Sequence, residues 1–134
     1  MFTFTKEERI RGKKSIDSLF KDGFIVMNYP LKVVWKVEKD NSGNIKAGVS
    51  VPKKFFKRAV RRNLIKRRIK ESFRLNKPAI KLILGEEKES LSLMFIYISK
   101  EIIPYREIEK KVALCLQTIT EQIKKIDEKS KQDV

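Results

Sequence analysis

The sequence predicts a single α/β domain whose order reads helix, strands, helix, strand, helix. Three stretches carry that reading. Leu31, Val33, Trp35 and Val37 alternate with Lys32, Val34, Lys36 and Glu38, the period of two of a half-buried strand. From Phe56 to Arg74 there is neither Gly nor Pro, and the apolar period becomes helical. Leu91 to Ile98 is almost unbroken apolar sequence, the mark of a strand covered on both faces. With 134 residues, 41% of them hydrophobic, the chain is long enough for one packed core.

The elements follow in order. Ser15 caps a short helix whose Ile16, Leu19 and Phe20 fall at i, i+3 and i+4, and Gly23 stops it. A short extra strand fits around Phe24–Met27, ahead of the strand at 31–38. Asp40, Asn41, Ser42, Gly43 and Asn44 form a turn cluster, after which Ile45 to Val51 returns as the partner strand. Pro52 offers no N–H and ends the ladder. The helix from Phe56 closes at Asn76-Lys77-Pro78, and residues 79–84, in the least readable stretch, fit a further helical turn or two. Gly85 to Ser90 is a charged loop. Pro104 fits the first position of a last helix. Along it Ile108, Val112, Cys115, Ile119, Ile123 and Ile126 recur at spacings of three and four. Residues 1–134 therefore read as one domain with an ordered core of about 9–126, a flexible N-terminal segment and a frayed polar tail at 127–134.

Composition removes several classes of chemistry. Cys115 is alone and in an apolar helical pattern, so it reads as a core thiol, without a disulfide or a Cys-rich zinc site. There is no histidine, the commonest general base and metal ligand. The acids form no spaced cluster of the kind a two-metal nuclease needs. No catalytic residue and no metal-ligating residue is assigned. No apolar run approaches the ~18–20 residues of a spanning helix, and Met1 to Glu8 lacks a signal core, so the expected location is the cytoplasm.

Charge is the informative property. The formal net charge is +15, which predicts attraction to polyanions and salt-sensitive association. Residues 53–74 hold eleven basic side chains against one acid, Glu71, and so supply +10 of that total. At about 100° per residue, Asn63, Lys66, Arg67, Lys70 and Arg74 fall within about a third of the helix circumference. Ile65, Ile69 and Phe73 form a separate stripe that can dock on a sheet. Like charges at i, i+4, such as Lys66 and Lys70, repel, and a polyphosphate would relieve them. Nucleic acid is the preferred partner; a solvated or membrane-touching face and a protein-docking surface are the rivals.

At this point the chain resembles a known family. Ala47-Gly48-Val49-Ser50-Val51-Pro52-Lys53-Lys54, followed by the run from Ala59 to Arg74, is similar to the signature of ribonuclease P proteins. That signature is a strand ending in a basic pair, then a helix bearing Arg-Asn-Arg, one spacer residue, and Lys-Arg. Ser15 to Gly23 is similar to the family's first helix and its terminating glycine, and the likeness covers roughly residues 9 to 125. The resemblance implies an αβββαβα, α+β sandwich that is ribosomal-protein-S5-domain-2-like, with a small, mostly antiparallel sheet. It also implies that Arg62, Asn63, Lys66 and Arg67 contact the catalytic RNA, with Lys70, Arg58, Arg61 and Arg74 beside them. Lys70 stands where an Arg is common, and Leu64 takes the place of the motif's second Arg.

The same resemblance implies a cleft between the first helix and the open sheet face for the single-stranded 5′ leader of precursor tRNA. Ile16, Phe20, Lys32, Val34, Lys36, Lys53 and Lys54 are its expected residues; Ile16 stands where an aromatic is usual. The alternation of Lys32, Val34 and Lys36 independently suits a groove tracking a phosphate backbone. The implied activity is endonucleolytic removal of the leader, with hydrolysis by an RNA subunit that holds Mg²⁺ and no cofactor on the protein. The implied partners are ribonuclease P RNA and precursor tRNA, without DNA or membrane. A ribosomal or ribosome-assembly protein is the main alternative. A DNA-reading helix is disfavoured because the basic helix follows a strand, and a protein-only nuclease because the acids are scattered.

Overall fold

The computed structural model describes residues 13–38, 45–84 and 90–132. Its elements are α1 (Lys13–Asp22), β1 (Phe24–Asn28), β2 (Leu31–Glu38), β3 (Ile45–Ser50), α2 (Ala59–Leu84), β4 (Ser90–Tyr97) and α3 (Tyr105–Gln132). The expected αβββαβα order is present. The expected N-terminal segment, the turn at 40–44 and most of the loop at 85–90 lie outside the described residues.

The sheet order is β1-β2-β4-β3. β1 with β2 and β2 with β4 are antiparallel, and β3 with β4 is parallel, so the α+β sheet is mixed. This corrects one expectation: β3 does not return against β2, because β4 lies between them. The burial of the strands explains the choice. β4 buries Leu91, Leu93, Phe95 and Tyr97 fully on one face and Met94 on the other, and so gains most at the centre. β3 carries Lys46 and Gly48 on one face and loses little at the edge. The parallel β3–β4 pair needs a long crossover, which α2 provides.

One face of the sheet is buried by α2 and α3. Val33, Trp35, Ile45, Ala47, Leu93 and Phe95 meet Ile65, Ile69 and Phe73 of α2 and the apolar seam of α3. Ile108, Val112, Cys115, Ile119 and Ile123 form that seam as expected, joined by Leu116. Ile126 departs from it, at 47% exposure, and the helix continues through polar residues to Gln132. The Pro104 carbonyl accepts from the amides of Glu107 and Ile108 at 3.1 and 3.2 Å, so Pro104 is the N-cap, one place before the expected position.

Helix α2 differs from its expected limits at both ends. It begins at Ala59 because Phe56, 5% exposed, is spent on the core from the preceding loop, with its ring 6.0 Å from that of Tyr97. It passes through Pro78 rather than ending there. Proline cannot donate to the Arg74 carbonyl, a loss of about 3 kcal/mol in a helix interior. Ile80, 2% exposed, offsets much of it, since burying such a side chain stabilises by about 1.5–3 kcal/mol.

Candidate nucleic-acid interface

The α2 surface is built on its apolar underside. Ile65, Ile69 and Phe73 have no exposure, and the Phe73 ring lies 5.8 Å from that of Phe95 on β4. With that stripe seated, Arg61, Asn63, Arg67 and Lys70 are exposed and Lys66 is half-buried. Lys53, Lys54, Lys57 and Arg58 are exposed on the loop that leads into the helix. Among the described residues no carboxylate forms an ion pair with Arg58, Arg61, Lys66 or Arg67. Their charge has no counterion among the described residues.

Three arginines of the same run are committed internally. The Arg74 Nε donates to Glu71 Oε2 at 3.1 Å, and its Nη2 meets Oε1 of the same carboxylate. That hydrogen bond, more than the charge beside it, holds the Glu71 carboxyl below its ordinary range, and it raises Arg74 in turn. Arg74 was expected among the RNA contacts; its charge is already answered within the chain by the one acid of the run. The Arg62 Nη1 donates to the carbonyls of Phe56 and Lys57 at 2.7 and 2.9 Å. It therefore clasps the basic loop to the first turn of α2, which makes it a positioning residue for Lys53, Lys54 and Lys57. Arg68 Nη1 donates to the Ile103 carbonyl at 2.8 Å, tying α2 to the segment before α3.

The opposite face of the sheet carries α1. Leu19 seats on Val34 and Met94 with Ile96 at the side, a small second core. The chain leaves α1 through Gly23, whose amide donates to the Leu19 carbonyl at 2.8 Å. A Cβ there would stand 2.4 Å from that carbonyl oxygen and 2.8 Å from Val34 Cγ1, so only glycine fits.

This seat engages two of the expected cleft residues. Val34 lies on the anticipated face, but at 2% exposure it is covered and offers no surface. Lys36 also faces this way, yet its Nζ lies 3.4 Å from Glu38, 3.8 Å from Asp22 and 3.3 Å from Ser18 Oγ. Lys36 holds α1 to the sheet. Lys32 remains a half-buried cation of this face, and Phe20 is 48% exposed on α1. Ile16 lies within α1, but its side chain is outside the described set. Lys53 and Lys54 follow the end of β3, with Lys54 Nζ 5.1 Å from the centre of the Phe55 ring.

Residues missed in the sequence also belong to this face. The register sets Lys36, Ser92 and Lys46 in one row and Ile25, Val34, Met94 and Gly48 in the next. Lys46 thus stands across the sheet from Lys36, and its alternation with Ile45 and Ala47 was the available signal. Ile25 and Met27, 57% and 60% exposed on β1, supply apolar surface where Val34 does not. Among the described residues no group of three or more His, Cys, Asp or Glu side chains could hold a metal ion. No described helix is long and apolar enough to cross a membrane.

Fold and surface together define a small α+β protein that concentrates uncompensated cations on one helix and the loop before it. The ribonuclease P family model matches residues 4–120. The ribonuclease P protein component of Porphyromonas gingivalis is 34% identical over 110 residues, covering 81% of this chain and 80% of that one. That of Thermotoga maritima is 36% identical over 78 residues, covering 58% and 64%. Among solved structures, the Staphylococcus aureus RNase P protein superposes with a TM-score of 0.64 at 25% identity, covering 85% of this chain and 96% of that one. The Thermotoga maritima RNase P protein gives a TM-score of 0.64 at 25% identity, with coverage of 82% and 96%. The chain belongs to the ribonuclease P protein family, the protein component of that tRNA-processing ribonucleoprotein.

Proposed function

We propose that the chain binds ribonuclease P RNA through α2 and its preceding loop, and steers the 5′ leader of precursor tRNA along the open sheet face. The observation that carries this reading is the set Arg58, Arg61, Lys66 and Arg67, which lacks carboxylate partners among the described residues although the helix is firmly seated. Cations kept close without counterions repel one another, and a folded polyphosphate relieves that repulsion. Lys53, Lys54 and Lys57, clasped by Arg62, extend the field to the end of β3. On the other face Lys32 and Lys46 suit phosphates, while Phe20, Ile25 and Met27 suit bases.

In this reading the protein side chains position and screen, and the RNA subunit hydrolyses the phosphodiester with its own Mg²⁺. The location is the cytoplasm. The test adds the purified chain to a bacterial ribonuclease P RNA and follows leader removal from precursor tRNA at low Mg²⁺. Restored cleavage with the RNA, and none by the protein alone, is expected. A chain that neither binds that RNA nor changes its Mg²⁺ requirement would return the ribosomal alternative.

A further inference from the structure

Val60 is 79% exposed, more than any other large apolar side chain among the described residues. Leu64 follows one turn later on α2 and is half-buried. At i and i+4 the two form one ridge, with Asn63 and Arg67 along one side and Arg61 on the other. Neither the fold nor helix propensity accounts for Val60. It is absent from the buried core, and a β-branched residue on an exposed helical surface forms helix less well than Lys or Ala. An aliphatic side chain cannot neutralise phosphate or hydrogen-bond a ribose. Two apolar groups nonetheless interrupt the most cationic segment of the chain.

We infer that Val60 and Leu64 form an apolar step that receives the face of an unstacked nucleobase, in an RNA held by the surrounding cations. The inference rests on the proposed RNA binding and names what this part of α2 reads. The flat face of a base is apolar, and its adjoining phosphates would fall to Asn63, Arg61 and Arg67. A protein partner fits less well. Two side chains offer far less than the roughly 800 Å² per partner of a stable protein interface. Docking there would also desolvate the flanking arginines, and only an acidic groove would answer them.

The test titrates the full chain against a bacterial ribonuclease P RNA over a range of monovalent salt. Val60→Ser with Leu64→Ser should bind about tenfold more weakly at every salt concentration, with the salt slope unchanged. Leu64→Phe, which offers a base a larger flat surface, should bind more tightly than the parent. Unchanged melting temperature and helix content would show that the double variant folds. Unaltered affinity in the double variant overturns the inference, as does a fall in slope, which would mean that ionic contacts were lost instead. A parent chain with no salt-dependent binding would sink the RNA reading itself. A normal parent beside an unaltered variant removes the base contact alone.

Discussion

On α2 and the loop before it, Arg58, Arg61, Lys66 and Arg67 stand without carboxylate partners among the described residues, whereas on the open sheet face the central Lys36 is held by Asp22, Glu38 and Ser18. Both surfaces read as cationic, and charge counting treats them alike. The difference lies in what each lysine or arginine must do for the fold. α1 is short and rests on Leu19 alone among its described side chains, so Lys36 is recruited to hold it. α2 is seated by three fully buried apolar residues and needs no such help, which leaves Arg61, Lys66 and Arg67 to a ligand. Where a helix is anchored by oil, some of its charges can stay available; where it is anchored by charge, they are spent.

The largest expected effect attacks the anchoring of α2. Phe73→Ala should cost about 3–5 kcal/mol of folding stability, read by denaturant unfolding, because a fully buried ring against Phe95 leaves a cavity. A cost under about 1 kcal/mol would mean that the helix is held by something else.

Next come the cations themselves. Lys66→Ala with Arg67→Ala should flatten the salt dependence of binding to ribonuclease P RNA by about one to two units, at roughly 0.7–0.9 per phosphate contact. Arg74→Ala should change the slope far less, because Glu71 already answers that charge. Equal slopes for the two variants would erase the distinction between spent and available charge.

On the sheet face, Phe20→Ala should weaken binding of a single-stranded leader by about 1–3 kcal/mol while leaving assembly with the RNA intact, measured by comparing precursor tRNAs of different leader length. Lys32→Ala should likewise weaken leader binding. Lys36→Ala should instead loosen α1, seen as faster amide exchange at Leu19 and Phe20, with a smaller effect on the leader.

The smallest effect is a pH dependence inside the core. Burial pushes the Cys115 thiol and the Tyr97 phenol above their ordinary values. A raised folded-state pKa favours the neutral form, so this stability is complete below the unfolded value and falls as pH rises through the folded one. For Cys115 the fall should begin as pH rises past the ordinary thiol value, and Cys115→Ala should remove that portion from a series of denaturant melts.

The elements were legible from particular residues. Alternation at 31–38 and the stripe Ile65, Ile69, Phe73 each describe a surface to be buried, and burial dominates local structure. The pairing of β3 was not legible, because nothing local to 45–50 says whether β2 or β4 will lie beside it. Pro78 misled for a related reason. Its cost is local, whereas the gain from Ile80 appears only once the core is present. Within the site, Lys66 and Arg67 were visible as a stripe, but Arg62, Arg74, Val34 and Lys36 all needed coordinates to reveal their neighbours.

By itself the sequence determined the element order, the core residues and the place where charge is concentrated, since periodicity and net charge are properties of the chain taken in line. The tertiary structure alone decided strand neighbours and which cations are answered internally. Those depend on distances of a few ångströms between residues far apart in sequence. An ion pair or a hydrogen bond acts only across that gap.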